Sequence, residues 1–337
     1  MRVLAGDIGG TKTLLRIAEC DAGRWRSVRE QRFDSRAYDG LSPILREFFE
    51  TGRDDRIVAA CLGIAGPVKE TATGQHVRVT NLPWEIHGHD LAREFDFPGV
   101  RLINDFQAVG YGIEALDEKD FVVLQEGEPV LRGPRAVIGA GTGLGQGVLV
   151  WQNDHYEAIA TEGGHADFGP TDELQIELTR YLLRNFGRAS YELILSGPGI
   201  LRLYEFLRAR GAAPESESVA VAITSGDPAA AITRAALAQS DPLAGRTLDL
   251  FVRIYGAQTG NLALTAGATG GVYIAGGIAP KILPRLRDGG FIAAFRNKGD
   301  MSALVAAVPV RVVMNPGVGL AGATLAACRL ASARSGA

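Results

Sequence analysis

The stretch "RVLAGDIGGTKTLLRIAEC", Arg2–Cys20, decides the fold of this chain. Its apolar start is typical of a strand, a turn follows at Gly9–Lys12, and Leu15 and Ile17 occupy alternate positions of a second strand. The stretch therefore predicts a β-hairpin with a glycine-rich tip. Because the first strand begins at once, we expect no signal peptide before it.

A second stretch of the same design, "RAVIGAGTGLGQGVLVW", lies at Arg135–Trp151. It predicts a strand from Ala136, a glycine turn at Gly139–Gly145 and a second strand at Gly147–Trp151. Two hairpins of one design indicate that the chain consists of two related halves. A length of 337 residues agrees with two domains of common size.

Strands and helices are mixed along the rest of the chain. The first half predicts a helix at Ser42–Thr51, a buried strand at Ile57–Ile64, a strand ending at Asn104 and a helix over about Phe106–Leu116. The second half predicts mainly helices, including one from Asp241–Pro242 to Gly267, then a buried strand "GVYIAGGIAP", a strand "VPVRVVMN" and a C-terminal helix. This mixture is typical of an α/β architecture with helices on the faces of a mixed sheet.

Composition and charge disfavour several classes of function. The net charge is −3 and the basic residues form no long run, so nucleic acid is a poor partner. Ile254–Pro280 carries no charge, but glycines and threonines interrupt it, which favours a helix and a buried strand over a membrane span. Cys20, Cys61 and Cys328 lie far apart among apolar neighbours, so we expect reduced cysteines in a cytoplasmic protein.

Both glycine turns are suited to phosphate, because bare backbone N–H groups attract phosphate oxygens and glycine permits their close approach. Either turn alone could be a plain hairpin tip, but the repeated design and nearby threonines such as Thr11 and Thr142 favour phosphate contact. Asp7 either holds Mg²⁺ through water or accepts bonds from turn amides. Lys12 either touches a phosphate or is solvated.

Two other phosphate-binding motifs do not fit. No GxxxxGK[ST] sequence occurs, which excludes a P-loop. The pattern at Gly139 nearly matches a dinucleotide fingerprint, but Leu144 stands at its third glycine position and a strand-like segment follows where a helix is required. A Rossmann-type site is therefore disfavoured.

The apolar strand in "RLINDFQAVGYG", Arg101–Gly112, ends abruptly on Asn104 and Asp105. One interpretation is a helix cap, because Asn and Asp side chains accept backbone N–H bonds at helix starts. The other is a functional carboxylate, since a carboxylate at the mouth of a buried strand is costly unless it is solvated, bonded or used. Taken alone, the pair favours the cap, which is the commoner arrangement.

Six motifs together resemble the bacterial glucokinase family, which belongs to the sugar-kinase, Hsp70 and actin superfamily. In order along nearly the whole chain they are "GDIGGTKT", "LINDF", "GAGTGLG", "TEGGHADF", "YELILSGPG" and "IAGGIAP". The resemblance implies an actin-like ATPase fold: two α/β domains of duplicated, ribonuclease H-like βββαβα type, with ATP and sugar meeting in an interdomain cleft. It also implies a smaller domain at 1–112 plus 316–337 and a larger domain, with dimerisation helices, at 113–315.

The resemblance implies a role for each motif. Asp105 would be the catalytic base that takes the proton from the sugar 6-hydroxyl, and the sugar-binding residues would be Asn104, Asp105, Glu162, His165 and Glu192. The residues implied to contact ATP are Gly6, Asp7, Ile8, Gly9, Gly10, Thr11, Gly141, Thr142, Gly143, Gly276 and Gly277. Without the family pattern, Glu162 and His165 would be read as a surface loop and Glu192 as a first-turn helix carboxylate.

The implied activity is that of a glucokinase, which phosphorylates D-glucose with ATP and Mg²⁺ to give glucose 6-phosphate and ADP, the first step of glycolysis. A homodimer without a nucleic-acid or membrane partner is expected. The alternatives are a kinase for mannose, fructose or an amino sugar, a non-catalytic sugar-binding regulator, and an actin- or chaperone-like ATPase. A regulator could dispense with Asp105, which disfavours it. The segment "HADFGPTDELQIEL" has no cysteine, unlike the zinc loop of the related repressor-and-kinase family.

Overall fold

The structure is a computed structural model that describes residues 1–21, 24–50 and 56–335. Its strands in chain order are β1 (Arg2–Ile8), β2 (Lys12–Asp21), β3 (Arg24–Asp34), β4 (Ile57–Ile64), β5 (Val68–Thr71), β6 (Gly74–Arg78), β7 (Glu85–His87), β8 (Val100–Asn104), β9 (Phe121–Gln125), β10 (Arg135–Ala140), β11 (Leu144–Gln152), β12 (His155–Thr161), β13 (Gly271–Ala275) and β14 (Val310–Val313). Its helices are α1 (Leu41–Glu50), α2 (Gly88–Glu94), α3 (Asp105–Ala115), α4 (Glu173–Phe186), α5 (Tyr191–Ile194), α6 (Gly197–Ala209), α7 (Glu217–Ser225), α8 (Pro228–Leu237), α9 (Pro242–Ala266), α10 (Leu283–Arg287), α11 (Gly290–Arg296), α12 (Ser302–Ala306) and α13 (Val318–Ser335).

The chain divides into two compact units. The first unit consists of Met1–Glu118, Gln152–Ala160 and Asn315–Ala337, and the second of Lys119–Trp151 and Thr161–Met314. This division keeps α3 whole, whereas the expected domain boundary at 112 falls inside that helix. Each unit is described by itself below.

The first unit is built on a five-stranded sheet in the order β3-β2-β1-β4-β8. The β1–β2 pair is antiparallel, as the first hairpin predicts, and β1, β4 and β8 run parallel. Leu4 of β1 packs in one core cluster with Phe48 of α1, whereas Ala5 packs with Leu320 of α13. Because successive strand residues point to opposite faces, these two helices cover opposite faces of the sheet.

The sheet of the second unit carries β11, β10, β13, β14 and β9 side by side. Here too an antiparallel hairpin, β10–β11, is followed by parallel strands, β13 and β14. The uncharged segment at 254–280 forms the end of α9 and then β13, which confirms the predicted helix and buried strand. The mixed α/β architecture expected from the sequence is therefore confirmed.

Local signals located several helix ends correctly. The Asp241 side chain caps α9 by accepting a hydrogen bond from the Ala244 N–H at 2.6 Å, and Gly267 closes the helix with a φ of 56°. Glycine suits that position because its φ is positive. The predicted end of α1 at Thr51 lies outside the described residues.

Two sequence-based expectations were wrong. The glycine turn of the second hairpin is shorter than predicted, because Gly139 and Gly145 pair directly across β10 and β11 and leave only residues 141–143 at the tip. The cysteines were expected to be reduced, but Cys20 and Cys328 form a disulfide, with Cα atoms 5.7 Å apart, while Cys61 is free and buried. The pairing was missed because the two residues are 308 positions apart in sequence and meet only where α13 packs on the sheet.

Within the described ranges, no helix combines the length and apolar character needed to cross a membrane.

Candidate active site

The end of β8 brings Asn104 next to the start of α3. The Asn104 side-chain oxygen accepts hydrogen bonds from the N–H groups of Phe106 at 2.8 Å and Gln107 at 3.4 Å. Its amide nitrogen donates to the carbonyl of Gly66 at 3.1 Å. The cap interpretation is therefore confirmed for Asn104, whose amide is bonded at both ends.

Asp105 is the first residue of α3 and is half-buried. One of its carboxylate oxygens accepts a hydrogen bond from the Phe106 N–H at 2.9 Å. Asn104 and Asp105 therefore both accept hydrogen bonds from the first turn of α3, and Asn104 makes two of them.

Gly66, which the sequence analysis missed, supports this pair. Ile64 of β4 lies opposite Asn104 of β8 in the parallel register, so the segment after Ile64 meets the Asn104–Asp105 turn. Gly66 has a φ of +148°, and a Cβ there would lie 2.5 Å from the carbonyl oxygen of Arg78. The Gly66–Pro67 pair directly after a buried strand is the signal that could have identified it.

The first glycine turn is held by a buried serine. The Ser35 hydroxyl donates to the carbonyl of Gly9 at 2.8 Å and lies 3.0 Å from the hydroxyl of Thr13. Across the tip, the Gly9 N–H donates to the carbonyl of Lys12 at 3.0 Å. A Cβ at Gly10 would lie 3.2 Å from the carbonyl oxygen of Thr80, so the turn is packed closely. Sequence reasoning missed Ser35, since its partners are remote in sequence.

Asp7 lies in β1 beneath this turn and is half-buried. Burial raises the pKa of its carboxyl group above the ordinary range, and the positive charge of Lys12 opposes the rise. A Cβ at Gly319, near the start of α13, would lie 3.6 Å from the Asp7 carboxyl carbon. Gly6 and Ile8 are buried neighbours in β1, so they can shape the turn but do not present side chains to solvent.

The second glycine turn lies beside another glycine pair in the same unit. At its tip the Gly141 N–H donates to the carbonyl of Gly143 at 2.8 Å. Gly276 has a φ of +81°, and a Cβ there would lie 2.5 Å from the carbonyl oxygen of Ala140, just before the tip. Apart from the adjacent residues in the chain, no described residue places an atom within 4 Å of the Cβ positions of Gly141 and Gly277. The expected nucleotide-binding residues of this unit are thus close together, with open space above two glycines.

A carboxylate links this turn to the predicted sugar-binding residues. The Leu144 N–H donates to Oε2 of Glu192 at 3.0 Å. A Cβ at Gly143 would come within 2.5 Å of the same oxygen. Glycine at position 143 therefore makes room for the Glu192 carboxylate, which lies in the first turn of α5.

The three predicted residues of the second unit form one cluster. His165 Nδ1 lies 3.7 Å from Glu192 Oε1, and His165 Nε2 lies 4.0 Å from Glu162 Oε2. The side chains are accessible, with exposed fractions of 57% for His165, 69% for Glu162 and 34% for Glu192. Two carboxylates and an imidazole offer several hydrogen-bond acceptors and donors to a polyol.

A buried glutamine adjoins the cluster and was also missed. Gln146 is 3% exposed, and its amide nitrogen has no hydrogen-bond partner among the residues that the structure describes. A Cβ at Gly163 would lie 2.4 Å from its amide oxygen, so Gln146 backs the loop that carries Glu162 and His165. Its only sequence signal is a polar residue within an otherwise apolar strand.

Comparisons with known proteins agree with one another. The family model described as glucokinase matches residues 4–330. A glucokinase of Nostoc punctiforme is 44% identical over 343 residues, which cover 97% of this chain and 99% of the relative.

Solved structures give the same result. The glucokinase of an Antarctic psychrotroph superposes with a TM-score of 0.84 at 31% identity and covers 97% of this chain and 99% of that chain. The glucokinase of Balamuthia mandrillaris in complex with glucose superposes with a TM-score of 0.76 over 97% of this chain and 93% of that chain. At 22% identity, the second likeness shows the fold alone.

Proposed function

This chain belongs to the glucokinase family and has its actin-like fold, and we propose that it transfers the γ-phosphoryl group of ATP to the 6-hydroxyl of D-glucose. The products are glucose 6-phosphate and ADP. The observation that carries the proposal is the half-buried Asp105 at the start of α3, in a chain that matches the family over nearly its full length.

Asp105 acts as the general base. As the 6-hydroxyl oxygen attacks the γ-phosphorus, its proton passes to the carboxylate, which the Phe106 N–H helps to hold in place. A positioned base of this kind contributes roughly 10²- to 10⁴-fold to the rate. Asn104 caps α3 and so orients the Asp105 carboxylate. Its amide nitrogen, which donates to the Gly66 carbonyl in the free protein, also donates to a sugar hydroxyl.

Glu162, His165 and Glu192 hold the remaining hydroxyl groups of the hexose. Each carboxylate accepts hydroxyl hydrogens, and the imidazole can accept one at one nitrogen while it donates from the other. The Leu144 N–H fixes one Glu192 oxygen and leaves the other directed toward His165. Glu162 is more exposed than Glu192 and is therefore the residue that gains most order when a sugar binds.

The two glycine turns bind the phosphates of ATP, and Gly276–Gly277 borders the adenosine. The open Cβ positions at Gly141 and Gly277 allow a ligand to approach the backbone closely. Asp7 is a hard oxygen donor whose ionised form is disfavoured by burial, so a nearby divalent cation fits its chemistry. Asp7 would hold Mg²⁺ through water, and Mg²⁺ neutralises phosphate charge during transfer.

The same proposal extends to the cellular setting. Because the reaction uses ATP, we propose that the enzyme acts in the cytoplasm. Because the acceptor is glucose, we propose that the reaction is the first step of glycolysis. A homodimer is also proposed. Most of α9 is buried within its own unit, so we do not expect this helix to supply the contact. Leu183 and Phe186 on α4 are exposed apolar side chains three residues apart and are better placed for one. Light scattering at several protein concentrations tests the dimer.

Initial rates with glucose and ATP, coupled to detection of glucose 6-phosphate, test the activity. We expect glucose-dependent ADP release, with lower kcat/KM for mannose, fructose and N-acetylglucosamine. A higher kcat/KM for one of those sugars would assign the chain to another hexose. ATP hydrolysis that does not respond to any sugar would overturn the kinase assignment.

A further inference from the structure

Two histidines and a glutamate form a cluster on the β6–β7 hairpin of the first unit, outside the residues assigned above. His76 of β6 lies directly opposite His87 of β7, and Glu85 lies two residues before His87 on the same strand. Because strand residues two apart share a face, all three side chains lie on one face of the small sheet. The two imidazole rings stack, with centroids 4.9 Å apart and planes inclined by 23°.

The potential ligand atoms of these three side chains all lie within 4.8 Å of one another. Ligand atoms around a tetrahedral Zn²⁺ ion with bonds of about 2.0–2.2 Å are separated by roughly 3.3–3.6 Å. His76 is half-buried and the other two residues are exposed, so small rotations of their side chains can close the difference.

We propose that His76, Glu85 and His87 bind a divalent transition-metal ion, with Zn²⁺ as the preferred ion. Two imidazoles and one carboxylate form a ligand set that binds Zn²⁺ in proteins, whereas Mg²⁺ prefers an all-oxygen set and retains water. The site is therefore chemically distinct from the oxygen donor Asp7.

The shape of the surface leaves room for the rest of a coordination sphere. His76 and Glu85 line an open cavity of about 790 Å³, together with Lys69, Arg78, Thr80 and Asn81. Three protein ligands beside open space leave a fourth position to water or to an exogenous ligand. A small anion is the natural fourth ligand, because the cavity wall also carries two cationic side chains.

Those cations tune the affinity. Lys69 of β5 lies opposite His76, and Arg78 lies opposite Glu85. Both therefore share the face of the cluster, and their charges oppose a bound cation. Removing the Lys69 charge should therefore strengthen metal binding. A metal ion bound elsewhere on the protein would not respond to this change.

The test is a competition titration of the full-length protein with Zn²⁺ in the presence of a chromogenic chelator. His76→Ala and His87→Ala should each weaken Zn²⁺ binding at least about 10- to 100-fold, because loss of a residue that only hydrogen-bonds to a metal ligand already costs that much. Glu85→Gln should weaken it as well, and Lys69→Ala should tighten it. His89→Ala is the matched control, because His89 is exposed, lies two residues from His87 and is not a member of the cluster.

A second measurement uses Co²⁺, whose visible absorption reports its ligands. The wild-type protein and His89→Ala should show one saturable band, and the His76→Ala/His87→Ala double variant should lose it. Circular dichroism checks that each variant is folded. The proposal is overturned if the folded double variant binds Zn²⁺ as tightly as the wild type, or if the wild type does not compete with the chelator.

Discussion

Asn104 and Asp105 are adjacent in sequence but differ in what their side chains do. Asn104 satisfies the first N–H groups of α3, which a helix start otherwise leaves without partners. Asp105 then carries a carboxylate that capping does not require. The cap and the functional carboxylate were alternatives in the sequence analysis. The structure assigns the cap to Asn104, and we propose the functional role for Asp105.

Asp105→Asn should lower kcat by roughly 10²- to 10⁴-fold, because the amide cannot accept the hydroxyl proton. Glucose affinity should stay within a few-fold, since the amide keeps the shape and hydrogen-bonding reach of the side chain. Coupled rate measurements and calorimetric glucose titration provide the two readouts. Asp90→Asn, on the exposed face of α2, is the control. Near-normal turnover in Asp105→Asn would remove the residue from the mechanism.

Glu162→Ala should raise the KM for glucose by about 10-fold or more, because a lost charge-assisted hydrogen bond costs roughly 1.5–3 kcal/mol. The KM for ATP should change far less. Steady-state kinetics with each substrate varied in turn measure both constants. Glu126→Ala, in an exposed loop of the same unit, is the matched control. Equal changes in both KM values would place Glu162 outside the sugar site.

Asp7→Asn should make the free protein more stable and the enzyme less active. The pKa of Asp7 is raised in the folded state. At a pH between the ordinary pKa of aspartate and this raised pKa, the folded protein therefore holds a proton that the unfolded chain has already lost. The contribution of Asp7 to stability therefore grows as the pH falls through the raised pKa, and at higher pH the buried charge destabilises the fold.

Thermal unfolding at pH 7.5 and at mildly acidic pH checks this sign. The gain in Tm on Asp7→Asn should be largest at the higher pH and should shrink on acidification. ATP-dependent turnover should fall at the same time, because the variant has lost a carboxylate suited to Mg²⁺. A variant that is less stable at the higher pH would contradict the assigned direction.

At the level of elements, the crossing of α3 and α13 determines where Asp105 lies. A Cβ at Gly112 of α3 would come within 2.1 Å of the carbonyl oxygen of Val318. A Cβ at Gly322 of α13 would come within 1.8 Å of the carbonyl oxygen of Ala108. Both contacts are with backbone, which cannot rotate away as a side chain can. The two helices can therefore pack this closely only with glycine at both positions.

Gly322→Ala should destabilise the protein by about 3 kcal/mol or more, at the upper end of the usual cost of overpacking. It should also lower kcat, because any separation of the helices moves the start of α3. Urea unfolding and initial rates are the measurements. Gly290→Ala, whose Cβ would meet no atom within 4 Å, should leave both nearly unchanged. A fully stable Gly322→Ala would show that the helix contact is looser than described.

Across the whole molecule, the first unit is assembled from three separate parts of the chain. Its N-terminal and C-terminal segments are joined by the Cys20–Cys328 disulfide, which links β2 to α13. A cross-link between residues so distant in sequence restricts the unfolded chain strongly. No local pattern indicates this cross-link, because neither cysteine lies in a recognisable motif.

Cys328→Ser should lower the free energy of unfolding by roughly 2–5 kcal/mol. Reduction of the wild type should have a similar effect, and reduction of the variant should add none, which is the internal control. Thiol titration in denaturant should find one free cysteine before reduction and three after it. Three reactive thiols in the untreated protein would contradict the disulfide.

Much of the fold and part of the site follow from the sequence alone. The two hairpins, the buried strands and the caps at Asn104 and Asp241 depend on neighbours within a few residues, and local patterns record such contacts. The motif order also identified the family, since six short patterns together are far more specific than one. Local patterns were therefore sufficient to predict the main helices and strands and to name candidate site residues.

Only the tertiary structure decided which of these residues meet. Glu192 joins His165 and the Leu144 N–H because separate elements pack together, and Gly66 reaches Asn104 because β4 and β8 run parallel. The cysteine pairing depends in the same way on α13 returning to the first sheet. Such contacts join residues far apart in sequence, and they form only when burial of the apolar faces brings the elements together.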